Sequence, residues 1–172
     1  AHGVFVNIAG QRFINEDCYH GRVSMTALDQ PEGRTFLLLD NAHFDRPSPA
    51  SEMHIAATGD TWEEVEAELG MAADTLAHTM RIYNAHAREG RDPLFGKQPP
   101  MLTPLDQGPF VALEMGPAGR FAFFTLGGLR TSSDGAVVAR NGAPIDGLFA
   151  AGRCTSGLPA WGHGYSSGMS LA

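Results

Sequence analysis

Apolar residues fall along this chain in short blocks whose spacing switches between the two-residue period of strands and the 3.6-residue period of helices. Val-Phe-Val-Asn-Ile at 4–8 is β-rich, and Ala-Gly-Gln at 9–11 turns it into Arg-Phe-Ile-Asn at 12–15, which predicts a hairpin. Phe-Leu-Leu-Leu-Asp at 36–40 is short enough to be a buried strand. In Asp-Arg-Pro-Ser-Pro-Ala-Ser at 45–51 two prolines remove donors and fix φ, so a loop follows. Asp60 or Thr61 is placed to cap a short helix, with Glu63 and Glu64 in its first turn and Gly70 as its stop. A second helix is predicted from about residue 72 to Gly90, its apolar face carrying Leu76, Met80, Tyr83 and Ala87 while Arg81 and Arg88 lie on other faces.

Pro93, Pro99, Pro100, Pro104 and Pro109 predict an extended surface segment over 92–109 and an internal boundary there. Beyond it, 110–115 and 121–125 read as strands flanking a Gly-Pro-Ala-Gly turn. Residues 131–139 read as a hairpin in which Asp134-Gly135 supplies the positive φ of a type I′ turn, and Asn141-Gly142 is a second such turn. An apolar strand at 147–151 leads to a Gly-rich ending, Gly-His-Gly-Tyr-Ser-Ser-Gly-Met-Ser-Leu at 162–171, where Gly168 to Leu171 reads as a helix opening. Glycine collects where backbone must approach a partner closely or take φ > 0, which fits one wall of a cofactor site; a surface coil carries the same glycines. A strand starting at residue 4 and a helix cut after its first turn create the expectation that further sequence flanks this stretch.

Composition narrows the class. The 172 residues suffice for one buried core, or a domain with an appendage. Hydrophobic content of 43% and charged content of 18% fit a soluble globular chain. A net charge of −7 without a Lys/Arg cluster excludes a nucleic-acid surface and leaves small neutral or polar partners. No apolar run approaches the roughly 20 residues of a membrane span, and Ala-His-Gly-Val is no signal sequence, so a soluble, cytoplasmic setting is expected. Cys18 and Cys154 lack Cys-x-x-Cys spacing and read as reduced thiols. The histidines lack paired ligand spacing, so no metal site is expected. Thr155-Ser156-Gly157 and Ser166-Ser167-Gly168 lack the Gly-x-Ser-x-Gly elbow of a serine hydrolase. Tyr83 falls on an apolar helix face and belongs to the core. Tyr19 and Tyr165 sit in polar, Gly-flanked loops, where a phenol serves either chemistry or a loop hydrogen bond.

Several ordered motifs then coincide. Phe5-Val6-Asn7 precedes Gly10-Gln11-Arg12-Phe13-Ile14-Asn15-Glu16; Leu76 and Thr79 precede Tyr83-Asn84, Gly90, Asp92 and Phe95-Gly96; Gly127-Gly128-Leu129 precedes Pro144-Ile145 and Gly147-Leu148-Phe149-Ala150-Ala151-Gly152. Over nearly the whole chain this series resembles the FAD-dependent fumarate reductase and succinate dehydrogenase flavoprotein superfamily, in the branch with 3-ketosteroid dehydrogenases. The resemblance implies an α+β fold, with the cap (substrate) domain of a fumarate reductase-like flavoprotein over 1–120 followed over 121–172 by a β-rich C-terminal piece of the FAD-binding domain. It implies FAD as the cofactor of a full-length parent. The Gly-x-Gly-x-x-Gly fingerprint that seats the pyrophosphate on a helix N-terminus is absent here, so weak or no FAD binding by the fragment is expected, with an N-terminal FAD-binding domain as its missing partner.

Departures from the family pattern bear on substrate. The "HHT-x-GG" and "HGxNR-x-GG" segments that clamp a dicarboxylate in fumarate reductases correspond here to Phe123-Phe124 and Ser166-Ser167. That change implies a neutral, apolar ketone, and the "GYxSG" form at 164–168 is similar to ketosteroid 4-ene dehydrogenases. By this resemblance Tyr165 is the catalytic phenol, Ser167 its relay partner and Tyr19 a second active-site tyrosine from the cap. Gly127, Gly128, Ala151, Gly152, Arg153, Gly168, Ser170 and Leu171 are the cofactor-binding positions. Dehydrogenation next to a ketone needs a hydride acceptor, a base for the proton beside the carbonyl, and polarisation of its oxygen. A phenol with a pKa of about 10 suits that role only when a neighbour lowers it, and Arg130 or Ser167 is placed to do so. The expected activity is that of an FAD-dependent dehydrogenase or reductase acting on CH–CH bonds, the fragment alone being inactive. Two alternatives stand beside it: a non-catalytic cap module binding an apolar ligand or partner chain, and a family member acting on a non-steroid enoate.

Overall fold

The computed structural model describes residues 2–18, 20–45, 54–115 and 128–155, and the chain divides into two compact units, residues 1–121 and 122–172. In the first unit, β1 (Val4–Asn7), β2 (Thr35–Asp40), β3 (His54–Gly59) and β4 (Phe110–Glu114) form an antiparallel sheet in the order β1-β2-β4-β3. Register places Val4 opposite Leu38 and Leu38 opposite Ala112, so these side chains share one face, while Phe5, Leu37 and Leu113 share the other. Helices α2 (Trp62–Glu68) and α3 (Leu76–Arg88) cover the first face, packing Val65, Leu76, Met80 and Tyr83 on Val4, Val6, Phe36 and Leu38. On the second face Ile14 and Val23 join Phe5 and Met115, Val23 coming from α1 (His20–Leu28). Burial on both faces explains why β2 and β4 read as continuous apolar runs.

Both expected helices form, with ends set by different means. Thr61 caps α2, its hydroxyl accepting the Glu64 N–H at 3.2 Å, and the Glu64 carboxylate accepts the Asp60 N–H at 2.7 Å. Helix α3 begins at Leu76, later than the pattern predicts, because its first donors are capped from another helix. The buried Glu66 of α2 accepts the Asp74 and Leu76 N–H groups at 2.7 Å each and the Ala77 N–H at 3.2 Å.

Two expectations fail for non-local reasons, and two elements were not expected. Residues 12–15 do not return as a hairpin strand: only an isolated bridge joins Val6 to Arg12, and β1 pairs with β2. The Pro-rich stretch runs mostly exposed, as expected, but it is not a boundary: it lies inside the first unit and sends Lys97, Leu102 and Leu105 into the interior. Asn84 clamps Leu105, its Oδ1 accepting the N–H at 2.8 Å and its Nδ2 donating to the carbonyl at 2.9 Å. Helix α1 and strand β3 have no counterpart in the sequence reading. His-Gly-Arg-Val-Ser-Met-Thr-Ala-Leu holds a glycine and β-branched residues with no acid in its first turn, and β3 is an edge strand paired only with β4 and largely exposed.

In the second unit β5 (Ala136–Val138) pairs antiparallel with β6 (Pro144–Phe149). The Gly135 N–H donates to Ser132 O and the Gly142 N–H to Ala139 O, each at 3.0 Å. In each turn only the glycine has positive φ, 85° and 88°, so these are not the type I′ turns expected, which need two such residues. Strand β6 is exposed along its length, including Ile145, Leu148 and Phe149. The strand expected at 121–125 lies outside the described residues.

Candidate functional site

The motif residues of the first unit build a buried charge nest. At the end of β1 the Asn7 side-chain oxygen accepts the Ala9 and Gln11 N–H groups at 3.0 and 3.1 Å. Gly10, at φ 71°, passes so close to α3 that a Cβ there would stand 2.8 Å from Leu76 N. This turn directs Arg12 inward, where its side chain is 3% exposed. Arg12 Nε donates to Glu16 Oε1 at 3.0 Å and Nη2 to Oε2 at 2.8 Å, while Nη1 and Nη2 reach Asp92 Oδ1 and Oδ2 at 3.1 and 2.9 Å. The guanidinium also lies over the rings of Tyr83 and Phe95, 5.0 and 4.8 Å from their centroids. Lys97 Nζ donates to Gly3 O at 2.7 Å and lies 3.7 Å from Glu16 Oε2. Two carboxylates thus balance two cations, as burial of charge requires.

Electrostatics follow from that balance. Burial alone favours loss of the Arg12 proton, but the bonds and charges of Asp92 and Glu16 outweigh it and raise the guanidinium above its ordinary value. Burial opposes ionisation of Asp92 too, yet Arg12 and the N–H groups of Lys97 and Phe95 pull its carboxyl below the usual range. Burial lowers Lys97 against the attraction of Glu16. Tyr83 is raised, first by burial and then by the Glu16 charge, so this phenol stays protonated and donates to Thr103 O at 2.8 Å. The nest is structural: its buried charges are matched by one another.

Chemistry has room beside the nest. A pocket of about 440 Å³ is walled by Phe13, Ile14, Leu94 and Phe95, with Asn15, Cys18, Arg22 and Thr26 on its other sides. Leu94 and Phe95 also border a cavity of about 250 Å³ over Arg12, Tyr83 and Asp92. Cys18, which burial pushes up as a thiol, immediately precedes Tyr19. Among the described residues no three His, Cys, Asp or Glu side chains gather as metal ligands, and no helix is long and apolar enough to cross a membrane.

Residues 2–169 match the family described as FAD binding domain. The chain belongs to that family. FAD is the family's cofactor, and the resemblance read from the motifs is borne out. A 3-ketosteroid-delta4-(5alpha)-dehydrogenase from Rhodococcus jostii RHA1, crystallised with 4-androstene-3,17-dione, is 38% identical with a TM-score of 0.76, over 99% of this chain and 35% of that one. A protein of Shewanella frigidimarina named "Probable fumarate reductase Ifc3" is 31% identical over 166 residues, 95% of this chain and 27% of that protein. The 4-oxocyclohexanecarboxylate 2-dehydrogenase of Sinomonas cyclohexanicum is 31% identical over 189 residues, 93% of this chain and 32% of that protein. The chain therefore spans only 27% to 35% of the length of these relatives. The α+β fold is that of the fumarate reductase and ketosteroid dehydrogenase flavoproteins.

Against this family the expected site residues divide. Gly128, Ala151, Gly152 and Arg153 are in the described part of the second unit. A Cβ on Gly128 would stand 2.5 Å from the Thr155 carbonyl, and the Leu129 N–H donates to Cys154 O at 2.8 Å. Gly128 therefore sits where two segments of its own chain pass closely. In the turn beginning at Ala151, Ala151 is exposed and Gly152 takes φ 73°, and the small residues there leave backbone accessible. Tyr19, Tyr165, Ser167, Gly127, Gly168, Ser170 and Leu171 lie outside the described residues. Sequence reasoning quoted Arg12, Glu16 and Asp92 as motif letters but missed what they do together with Lys97. The i, i+4 spacing of Arg12 and Glu16 was the available signal.

Proposed function

We propose that this chain is the substrate cap, over about residues 1–120, and the terminal cofactor-contacting segment, over 121–172, of an FAD-dependent oxidoreductase that dehydrogenates or reduces a carbon–carbon bond next to a ketone, on a bulky, ketosteroid-like substrate. The observation that carries the reading is the pocket of about 440 Å³ walled by Phe13, Ile14, Leu94 and Phe95, with Cys18, the residue before Tyr19, on its rim. Its volume lies in the range of pockets that enclose drug-sized ligands, and its lining divides between apolar Phe13, Ile14, Leu94 and Phe95 and the polar or polarisable Asn15, Cys18, Arg22 and Thr26, which suits an apolar body bearing polar groups such as ketones. The 38% identity to a ketosteroid dehydrogenase over 99% of this chain supports the same substrate class.

In this reading Tyr165 removes the proton beside the carbonyl, Ser167 passes it on, and Tyr19 polarises the carbonyl oxygen. FAD, held by the backbone of Ala151, Gly152 and Arg153 and by Gly168, Ser170 and Leu171, supplies the hydride acceptor for oxidation. The exposed Ile145, Leu148 and Phe149 of β6 suit burial against an N-terminal FAD-binding domain, and Cys18 and Cys154, neither of them in a disulfide, fit a reducing, cytoplasmic setting. A second reading, a smaller cyclic keto acid, is favoured by Arg22 in the pocket wall and by the oxocyclohexanecarboxylate dehydrogenase relative.

The test is to assay the full-length flavoprotein with ketosteroids, cyclic keto acids and fumarate, using an artificial electron acceptor. Ketosteroid turnover is expected; turnover of fumarate alone refutes the proposal, and turnover of keto acids alone selects the second reading. The 172-residue chain by itself is expected to purify without flavin absorbance, and stoichiometric yellow FAD would contradict the division of labour proposed here.

A further inference from the structure

Helix α1 carries a cation that the first unit leaves uncommitted. Among the described residues of that unit, Arg12, Arg34, Arg81, Arg88, Arg91 and Lys97 each meet a carboxylate, even where they are exposed. Arg22 meets none among the described residues, in a chain with 19 Asp and Glu against 12 Lys and Arg. A shortage of carboxylates does not explain it. Arg22 is also the one charged residue among those that wall the pocket of about 440 Å³. Its charge reaches that wall: burial pushes the Cys18 thiol up, and Arg22 is the strongest influence that pulls it down. Beside it Asn15 lines the same pocket, and its Oδ1 is taken by the Asp17 N–H at 2.8 Å, which leaves the amide NH₂ as the group it can offer a ligand. Phe13, Ile14, Leu94 and Phe95 supply the apolar walls.

We propose that Arg22 is a specificity-determining residue: among bulky ketones it selects those that carry a carboxylate on a part of the molecule remote from the ketone. This deepens the reading of the pocket as the substrate's and rests on it. A planar guanidinium fork matches the two oxygens of a carboxylate, and one uncommitted cation balances one negative charge. The Asn15 amide adds a further donor, while the aromatic and aliphatic walls take the apolar body. Because the carboxylate lies away from the bond that reacts, its contact is equally strong before and during the reaction. Arg22 therefore acts on affinity and not on the chemical step. Neutral ketones remain substrates, held less tightly.

The test uses the full-length flavoprotein and two ligands with the same rings and ketone: a ketosteroid bearing a side-chain carboxylic acid, and its methyl ester. The concentration dependence of single-turnover flavin reduction gives a Kd and a limiting rate for each. At low salt the acid is expected to bind about tenfold more tightly than the ester, the lower end for a charge-assisted contact because Arg22 is exposed, with limiting rates within about twofold. High salt is expected to shrink that advantage. Arg22→Gln is expected to bring the ratio of the two Kd values to about one, and Arg22→Lys, which keeps the charge without the fork, to retain part of it. Leu94→Gln, in the apolar wall, is expected to weaken both ligands alike and so to preserve the ratio. A ratio of about one in the wild type, a ratio that survives in Arg22→Gln, or an acid advantage confined to the limiting rate overturns the inference and leaves the pocket reading standing. Wild-type binding of both ligands by Leu94→Gln, or no flavin reduction by either steroid, overturns the pocket reading and the inference with it.

Discussion

Replacing Glu16 by Gln keeps the side-chain shape and removes one of the two negative charges that balance Arg12 and Lys97. Glu16 Oε1 accepts from Arg12 Nε and Phe5 N, and Oε2 accepts from Arg12 Nη2. Whichever way the amide is turned, its NH₂ group faces a donor. The Glu16 side chain is fully buried and that of Arg12 is 3% exposed, so water cannot relieve the clash. Losing a charge-assisted bond and leaving a surplus buried cation costs about 3 to 5 kcal/mol. For a unit of this size that is a fall in Tm of roughly 10 to 20 °C. Thermal and urea denaturation of the chain, followed by circular dichroism, measure it. Charge balance makes a sharper demand. In the Glu16→Gln background, Lys97→Met removes the surplus cation, so the double variant should be more stable than the sum of the single losses by at least about 1 kcal/mol. Strict additivity, or a Glu16→Gln loss under about 1 kcal/mol, would refute the account of the nest as a balanced set of buried charges.

Three further outcomes are expected. Gly10→Ala places a Cβ 2.8 Å from Leu76 N at a backbone φ of 71°, and should cost about 2 kcal/mol or more by chemical denaturation; a loss within about 0.5 kcal/mol would mean that α3 does not pack so tightly there. Glu66→Gln weakens three bonds to the start of α3 and should cost about 1 to 3 kcal/mol, with faster amide exchange confined to residues near 74–77; uniform exchange across α3 would argue against a capping role. Asp92, whose folded carboxyl lies below the ordinary value of 3.8, contributes stability that is present above that value and is lost as pH falls through its folded pKa. The stability difference between wild type and Asp92→Asn should therefore shrink in acid below about pH 3.8, and a difference independent of pH there would count against the ion pair.

Much of the local chemistry was legible before any fold was known. Thr61 and Gly70 bound α2 because capping and left-handed termination are decided within a few residues. The ordered motifs around Asn7, Gly10, Arg12, Glu16 and Asp92 were enough to point to the flavoprotein family. Strand β2 was legible as an apolar run, though its partners were not.

What the chain by itself determined, then, is each choice that neighbouring residues settle: caps, glycine turns, apolar faces and the types of residue from which a nest or a phenol pair can be made. Tertiary structure alone decided the rest. The 12–16 segment leaves β1 because Arg12 and Glu16 gain more from Asp92 and Lys97, some eighty residues away, than from a hairpin. Helix α3 starts at Leu76 because a glutamate from another helix satisfies its first donors. The Pro-rich stretch is anchored to the first unit by Asn84 on Leu105 and by the burial of Leu102 and Leu105. Gly128 packs against the backbone of Thr155, a closeness that no local pattern announces. In each case the deciding interaction joins residues far apart in sequence, and only the folded chain brings them within hydrogen-bonding or packing distance.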